Sequence, residues 1–531
     1  MARDHWTHRE VLHTMKYILP VVGLTLFLLS FAPQGAVHAA DLSVALDGKD
    51  VAALEPTPPD LKSMATSKRR FMNTMFFFDD WNLRIREGFD RKQGQPKMGK
   101  ELLLDFQDDP DLKDIRGLPP SYDPIRDCYT MIIDCHDKKK NRFWFRIDSK
   151  HADKWPPVRW RKGDGPLWTR VDNVFLDQDK NPLCCFNLHQ LGGTPWADKG
   201  YFVNLVDRGN ATGFSKDGLN FQLDAKSPWV RGYGSDTSNW GIYNPWSSEF
   251  MIFCRPDCLD RRISRITSTD LKTFSKPQVV LQPDALDPVC REFYGVGPFV
   301  YGDMFLATLS VYDSEPTEQG RYKWQGTNQM QLAYSYNGEN WYRASREMFI
   351  PRTEPGTYAG GSVYGGLVGR TADNRLLFCA MVTWTEHGMD IKHTPKEWRD
   401  RAYRVYLYDM RLDGFVYLRT RAKMGVIRTK VVVPQGGEMT INTRTTPSGY
   451  TTVAFLDELT GKPIPKYTHA DCKRITGDHL FGKLQWGDKK NLDELKGKRV
   501  LIEVRVREGE LYALRFTHQV APGQHIRNRH E

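Results

Sequence analysis

Short apolar runs alternate with polar turns along most of this chain, and this pattern predicts β-strands. Runs such as Phe250 to Cys254 and Leu376 to Val382 are bounded by Gly, Asn, Asp, Ser or Pro. A helical period is hard to sustain over any long stretch. The pattern therefore predicts an all-β protein.

Three short segments repeat one turn motif. They are Ser215 to Phe221, Ser268 to Phe274 and Ser335 to Trp341, and each has Asp or Asn at its third position and an aromatic residue at its seventh. Two of the three have Gly at the fourth position. Such a motif suits a tight turn that packs a ring on its return, and its recurrence is typical of propeller blades. The motif starts lie 53 and 67 residues apart, so long loops are expected between the strands.

Five successive segments repeat the order strand, turn, strand, turn. They cover about 126–165, 168–230, 234–282, 290–350 and 358–418. Five four-stranded units can close into a ring without exposed edges. The prediction is a five-bladed β-propeller over 71–420, with four or six blades as open alternatives.

The character of the chain changes beyond Arg421. A Thr- and Val-rich series of strand-like runs extends to a final hairpin, Val500 to Arg507 with Leu511 to Thr517. This layout predicts a small β-sandwich over 421–520, followed by a tail over 521–531. The 531 residues exceed what a single hydrophobic core normally serves, which agrees with two folded domains.

The N-terminal region reads as an export signal and a linker. An apolar stretch from Tyr17 to Pro33 precedes the small-residue sequence Ala36 to Ala40, which suits a signal peptidase. We predict a signal peptide over 1–40, a proline-containing linker over 41–70, and a secreted or periplasmic protein. An uncleaved membrane anchor is the alternative.

Charge and cysteine content narrow the function classes. The formal net charge is +10, but the excess is diffuse, so nucleic-acid binding has little support and attraction to acidic polysaccharide stays open. Nine cysteines without a paired Cys/His spacing predict no metal cluster and at most one or two disulfides. No phosphate-binding or dinucleotide motif is present, and we expect no cofactor.

Acidic residues recur near the starts of the predicted blades. The inner strand of a propeller blade lines the central channel, and glycoside cleavage needs a carboxylic acid together with a carboxylate. Ion pairs or turns are the alternative roles for such residues. The predicted catalytic candidates are Glu292, Asp236, Asp172 and Asp127.

Further side chains suit contacts with a sugar. Arginines at strand ends can bind a sugar acid or sulfate bidentately, although structural ion pairs are their commoner role. The Glu-His-Gly sequence after a blade-five strand is a second candidate contact. The predicted substrate-binding residues are Asp80, Asn239, Arg146, Arg255, Tyr294, Glu386 and His387.

These features together resemble secreted five-bladed propellers described as glycosyl hydrolase family 32 N-terminal-like, which are related in fold to families 43, 32 and 130. The resemblance covers about 70–517 and rests on loose motifs. They are Phe76 to Asp80, Asp236 to Asn239, Tyr243 to Pro245, Phe250 to Arg255, Asp287 to Gly295, Gln331 to Ser335 with Gly338 and Trp341, and His387-Gly388. It implies a glycosidase with a C-terminal β-sandwich. The Trp-Met-Asn-Asp-Pro-Asn-Gly signature of invertases is absent, so sucrose and fructan hydrolysis are not expected.

The first hypothesis is an exported, monomeric glycoside hydrolase acting on plant or algal poly- or oligosaccharide. Glu292 would be the general acid, and Asp236 the base or nucleophile. A noncatalytic carbohydrate-binding propeller and a protein-contact propeller are the alternatives. Two carboxylates facing each other across a central pocket would favour the enzyme, whereas acids paired with arginines would favour binding.

Overall fold

The computed structural model describes residues 71–106, 109–205, 211–224, 239–255, 261–317, 320–388 and 403–521, and these residues form an all-β structure. The first half contains β1 (Met72–Met75), β2 (Leu83–Glu87), β3 (Phe89–Gln93), β4 (Lys97–Glu101), β5 (Leu112–Gly117), β6 (Ser121–Asp123), β7 (Cys128–Asp137), β8 (Arg142–Ser149), β9 (Phe186–Gln190), β10 (Tyr201–Leu205), β11 (Thr212–Ser215), β12 (Gln222–Asp224), β13 (Gly241–Asn244), β14 (Glu249–Cys254), β15 (Ile263–Ser268) and β16 (Gln278–Leu281).

The second half contains β17 (Arg291–Tyr301), β18 (Met304–Thr317), β19 (Gly320–Ser335), β20 (Tyr342–Arg343), β21 (Ser362–Arg370), β22 (Arg375–Thr383), β23 (Tyr403–Arg411), β24 (Val416–Thr420), β25 (Met424–Thr429), β26 (Val432–Pro434), β27 (Thr440–Asp457), β28 (Asp478–Lys483) and β29 (Val500–Val520). Single 3-10 turns occur at Leu167–Arg170, Ala197–Lys199 and Asp493–Leu495. The described helices are too short and too polar to span a membrane.

Consecutive antiparallel strands build the sheets between β4 and β23. The first group is β5, β6, β7 and β8, the second is β9 to β12, and the third is β13 to β16. The fourth group is β17 to β20, and the fifth is β21 to β23 with the early strand β4 added at its edge. A parallel bridge between Asn328 and Ser362 joins the fourth and fifth groups.

Apolar clusters lie between neighbouring groups. Phe202 of the second group packs with Phe250 of the third, and Met251 of the third packs with Phe305 of the fourth. Phe145 of the first group shares a cluster with Cys379 of the fifth. The groups therefore bury their faces against one another in sequence order, and the fifth also packs against the first.

The C-terminal strands form a separate nine-stranded sheet around a large core that includes Val453, Trp486 and Val504. The long strands β27 and β29 pair along almost their whole length. The early strands β1, β2 and β3 belong to this sheet as well, pairing with β29, β25 and β24 respectively. The N-terminal part of the region predicted as propeller thus pairs with the region predicted as sandwich. The domain boundaries themselves stay a prediction.

The repeated turn motif has the predicted role. The Ser215 hydroxyl donates to Asp217 and accepts from the backbone N of Gly218, at 2.7 and 2.9 Å. Ser335 makes the same contacts with Asn337 and Gly338, at 3.2 and 2.8 Å. The aromatic ring at the seventh position is buried in the first and third copies, Phe221 and Trp341, and partly buried in the second, Phe274.

The fourth position of the motif has a left-handed backbone in all three copies, with φ of 69° at Gly218, 60° at Leu271 and 80° at Gly338. Glycine adopts this conformation without a steric penalty, which explains its presence in two copies. Leu271 accepts the strained conformation because its side chain is fully buried in a core cluster.

Candidate functional site

Glu292 lies at the start of β17 and is buried together with Arg261. The two side chains are 1% and 3% exposed. The Arg261 Nη1 group donates to Oε2 of Glu292, and the backbone N of Arg261 donates to Oε1 at 3.2 Å. The backbone N of Phe293 donates back to the carbonyl of Arg261 at 3.0 Å, so this segment is tied to the edge of β17.

Aromatic and basic side chains surround this ion pair. The Arg261 guanidinium carbon lies 4.7 Å from the ring centre of Tyr312 and 5.4 Å from that of Tyr294. The guanidinium carbon of Arg255 lies 5.1 Å from the ring centre of Tyr294. The Tyr294 hydroxyl is 3.0 Å from Nε2 of His387. We call Arg255, Arg261, Glu292, Tyr294, Tyr312 and His387 the Tyr294 cluster.

Three strand groups supply the Tyr294 cluster. Arg255 follows β14 and Arg261 precedes β15, both in the third group, while Glu292, Tyr294 and Tyr312 lie on β17 and β18 of the fourth. His387 follows β22 of the fifth group, and its backbone exchanges hydrogen bonds of 2.8 and 3.2 Å with Gly326 of β19. The cluster therefore sits where the third, fourth and fifth groups meet.

Further polar groups adjoin His387 and the junction of the fourth and fifth groups. Asn328 donates to the Tyr364 hydroxyl at 2.9 Å and accepts from Ser310 at 2.9 Å. Glu386 directly precedes His387, and its Oε2 atom is enclosed without a hydrogen-bond partner among the described residues. A buried acceptor of this kind is costly unless a donor reaches it, and a sugar hydroxyl would be such a donor.

Two of the predicted catalytic acids lie elsewhere. Asp127 is 80% exposed in the turn between β6 and β7, and it is paired with Tyr122 and Lys150. Asp172 is 80% exposed and paired with Arg161. The prediction that each precedes the first strand of a blade is wrong. β7 lies between β5–β6 and β8, and the residues after Asp172 pair with the outer side of β8.

Asp80 and Arg146 make contacts that hold the fold together. Asp80 binds Arg86, at 3.0 Å, and Arg91. It lies beside the end of β19, where Tyr334 and Tyr336 donate to the neighbouring Asp79 at 2.9 and 3.0 Å.

That end of the fourth group is opposite to the end that carries Glu292. Glu292 pairs with Tyr312, whereas Leu306 pairs with Tyr334.

Arg146 is directed at a turn motif. Its Nη1 group donates to the carbonyl of Gly218 at 3.1 Å. Arg265 does the same for Gly338 of the third motif, also at 3.1 Å. Since two arginines in equivalent places hold two equivalent turns, this arrangement is structural.

Of the last two candidates, Asn239 directly precedes the third group and Asp236 lies outside the described residues. Asn239 is buried, and its carbonyl accepts a hydrogen bond of 3.3 Å from Asn204, which in turn contacts Nε2 of His189 at 2.6 Å. The structure thus brings Glu292, Tyr294, His387 and Arg255 together.

Sequence reasoning missed Arg261 and Tyr312. Arg261 stands in an Arg-Arg pair before a strand, and Tyr312 ends an apolar run. The only signal in the sequence was indirect, because a buried glutamate on an inner strand requires a cationic partner.

The chemistry of the Tyr294 cluster follows from its hydrogen bonds. Both oxygens of Glu292 accept hydrogen bonds from Arg261, a geometry that suits a carboxylate, and the general-acid role of this residue stays a prediction. Stacked arginines and tyrosines can hold a sugar ring and its hydroxyl or acid groups. A hydrolytic reaction would need a second carboxyl group, for which Glu386 and Asp236 are the candidates.

Cysteines and metals add little to the site. Cys128, Cys135, Cys254, Cys290, Cys379 and Cys472 are free thiols, and Cys258 lies outside the described residues. The part of the chain that the structure describes contains no His, Cys, Asp and Glu group suited to a metal ion.

Comparisons with known proteins return similar folds but no sequence relative. No family model and no curated protein matches this chain. Similar solved structures include an N-acetylgalactosamine deacetylase from F. plautii in complex with blood group B trisaccharide, at 10% identity, TM-score 0.38, and coverage of 62% of this chain and 97% of the other. A GH32 beta-fructofuranosidase from Bombyx mori matches at 10% identity and TM-score 0.35, covering 81% and 95%.

The catalytic domain of a GH62 alpha-L-arabinofuranosidase from Coprinopsis cinerea matches at 8% identity and TM-score 0.36, covering 60% of this chain and 98% of the other. The neighbours thus include glycoside hydrolases of more than one family. At these identities and TM-scores the function of this chain must be argued from its own residues.

Proposed function

We propose that this protein is an exported glycoside hydrolase with a five-bladed propeller and a C-terminal sandwich, acting on plant or algal poly- or oligosaccharide at the Tyr294 cluster. The observation that carries the proposal is the convergence of a buried carboxylate, two arginines, two tyrosines and a histidine where three strand groups meet. Burying polar and charged groups costs free energy, and a cluster of them at one place in a fold is typical of a functional site.

The propeller proposal is supported by the packing of the strand groups. The second to fifth groups have four strands each, counting β4 in the fifth group. In the first group β5 and β6 together take the place of the inner strand, and the segment around Val174 pairs with β8 at the outer edge. Clusters between neighbouring groups, and between the fifth and the first, are what a closed ring of blades requires.

In the proposed reaction Glu292 acts as the carboxylate that stabilises or attacks the sugar, and Arg261 fixes its orientation. Glu386 is the proposed proton donor: no described residue holds its enclosed Oε2 atom, so a proton on this oxygen could pass to the glycosidic oxygen, and after that transfer the same atom could accept from a sugar hydroxyl. Asp236 remains the second candidate for the partner carboxyl group. Tyr294 and His387 would contact sugar hydroxyls.

A noncatalytic carbohydrate-binding propeller is the second candidate, favoured by a specific observation. The described members of the predicted catalytic set, Asp127, Asp172 and Glu292, are each paired with a cationic side chain. Acids used in this way hold the structure and need not react.

The test measures released reducing ends over a panel of neutral and acidic oligosaccharides. Replacing Glu292 alone would leave Arg261 charged and buried, which costs about 3–5 kcal/mol and risks unfolding. The paired variant Glu292→Gln/Arg261→Gln removes both charges and is the better test. We expect it to abolish turnover with little change in the melting temperature.

Glu386→Gln is the matched single change, since its partner-free carboxyl oxygen can be replaced without stranding a buried charge. We expect it to lower kcat more than it raises KM. Sugar binding by wild type without release of reducing ends would establish the noncatalytic alternative. Neither binding nor release across the panel would overturn both candidates.

A further inference from the structure

The outer face of the C-terminal sheet carries two buried glutamates that each bind two arginines. Glu503 and Glu510 of β29 have side chains that are 5% and 9% exposed. Arg428 lies opposite Glu503, and both Arg419 and Arg444 lie opposite Glu510. Directly opposed residues of antiparallel strands share a face, so these side chains lie together.

The arginines use the same edge of the guanidinium group to bind the glutamates. In Arg428 the Nε and Nη2 groups donate to Glu503 at 3.1 and 2.6 Å, and in Arg505 at 3.0 and 2.8 Å. Arg419 and Arg444 hold Glu510 with Nε contacts of 2.9 Å each.

The opposite edge of each guanidinium can still donate. The Nη1 groups of these arginines make no hydrogen bond with the described residues, and the side chains are between 32% and 49% exposed. The four arginines are Arg419, Arg428, Arg444 and Arg505.

Two guanidinium groups for each carboxylate leave one positive charge in excess at each glutamate. His469 contacts Glu503 at 3.2 Å, but burial lowers its pKa, so it adds no charge near neutral pH. An isolated surface ion pair needs only one arginine. The second arginine at each site is therefore not explained by neutralising the glutamate.

Aromatic rings lie beside these charges. Tyr417 stacks on Tyr512 with ring centres 5.0 Å apart, and the Tyr512 hydroxyl donates to Glu510 at 2.5 Å. Arg474 lies 4.3 Å from the ring centre of Tyr450 on a neighbouring strand. Tyr512 itself is buried, so Tyr417 and Tyr450, which are partly exposed, are the rings that can meet a ligand. Rings and fixed guanidinium groups together suit a ligand that has both sugar faces and acid groups.

We propose that this sheet face binds an acidic polysaccharide, with sulfate or carboxylate groups at the two arginine pairs. Guanidinium groups held in place by a buried acceptor present their remaining donors without losing side-chain entropy on binding. Glu503 and Glu510 are seven residues apart on one strand, which at about 3.3 Å per residue is a span of at most about 23 Å. A ligand that reaches both pairs is a polymer or an oligosaccharide of several units.

The experiment is affinity electrophoresis of the full chain in gels containing dextran sulfate, with neutral dextran gels as reference. The variant Arg419→Gln/Arg505→Gln removes one arginine from each pair, so that each buried glutamate keeps one partner and the fold is preserved. The control Arg159→Gln/Arg375→Gln removes the same charge from exposed one-to-one pairs with Asp105 and Asp409.

We expect wild type and the control to be retarded alike, and the Arg419/Arg505 variant to bind at least about tenfold more weakly. Arg419→Lys/Arg505→Lys should lie between them, since it keeps the charge and loses the planar donors. Equal losses in the variant and the control, or no retardation of wild type, would overturn the proposal. The Glu292/Arg261 variant should bind dextran sulfate normally, which separates this site from the proposed active site.

Discussion

Removing the carboxylate of Asp413 should strongly weaken the attachment of the C-terminal sheet to the neighbouring strand groups. Asp413 is fully buried in the turn after β23. It accepts from the Tyr301 hydroxyl of β17 at 2.7 Å, from Asn442 of β27 at 2.8 Å and from Arg515 of β29. One side chain thus joins the fourth strand group, the fifth and the C-terminal sheet.

The loss in free energy of unfolding follows from the polar groups that lose their partner when the Asp413 carboxylate is removed. Asp413→Ala leaves the Arg515 guanidinium without its carboxylate and two further donors without an acceptor, and breaking a buried pair in this way costs about 3–5 kcal/mol. The backbone adds strain, because φ at this residue is 62° and alanine tolerates that conformation less well than aspartate. Tyr301→Phe removes the hydrogen bond that the hydroxyl donates to the Asp413 carboxylate and the 3.2 Å bond that it accepts from the backbone N of Asp413, and it should cost about 3 kcal/mol.

The assay is equilibrium denaturation in urea, followed by tryptophan fluorescence, on wild type, both single variants and the double variant. Since both single variants remove the hydrogen bond between the Tyr301 hydroxyl and the Asp413 carboxylate, the double variant should lose less than the sum of the single losses. Asp409→Asn on the same hairpin is the control, because its exposed pair with Arg375 is worth less than about 1 kcal/mol. A midpoint for Asp413→Ala equal to that of the control would refute the reasoning.

Two further predictions concern pH and backbone strain. Burial lowers the pKa of His189 to about 4 from an ordinary value of 6.5. As the pH falls, His189 is therefore protonated in the unfolded chain before it is protonated in the folded protein. About 3 kcal/mol of stability that is present above pH 6.5 should be lost as the pH falls towards 4. Urea midpoints across this range should show a steeper fall for wild type than for His189→Gln, and parallel profiles would contradict the assignment. Gly338→Ala should cost about 2 kcal/mol more than Gly356→Ala, since both have positive φ but only at Gly338 would the new Cβ meet a neighbour, Met251 Sδ at 2.7 Å. Equal melting temperatures for the two variants would argue against that steric conflict.

The sequence predicted the strands well where one face of a strand is apolar. The runs Phe250 to Cys254 and Leu376 to Val382 coincide with β14 and β22 because their side chains pack into clusters on the sheet faces. The same pattern placed Glu292 within a strand of the fourth predicted blade, and the structure has it on β17.

The prediction failed where a strand gives no apolar signal. The first strands of the first group are β5 and β6, in which Lys113, Asp114, Arg116 and Ser121 interrupt the apolar pattern. The apolar pattern therefore begins only at β7. For this reason Asp127 was expected near the start of the group, whereas it follows β5 and β6.

Pairing between strands that are far apart in the sequence was not predicted either. Nothing in the composition of Lys97–Glu101 shows that it will pair with β23, because strand partners are chosen by packing across the whole fold.

That late partner has a consequence for how the protein is made. β4 ends at Glu101 and β23 begins at Tyr403, so about 300 residues are synthesised between them, which takes about 15–60 s at ordinary elongation rates. During this interval β4 has open edges, and so do β1 to β3, whose partners emerge later still. During synthesis the early strands can therefore pair with other nascent chains until the last quarter of this chain has been translated, and they need to be shielded for that time.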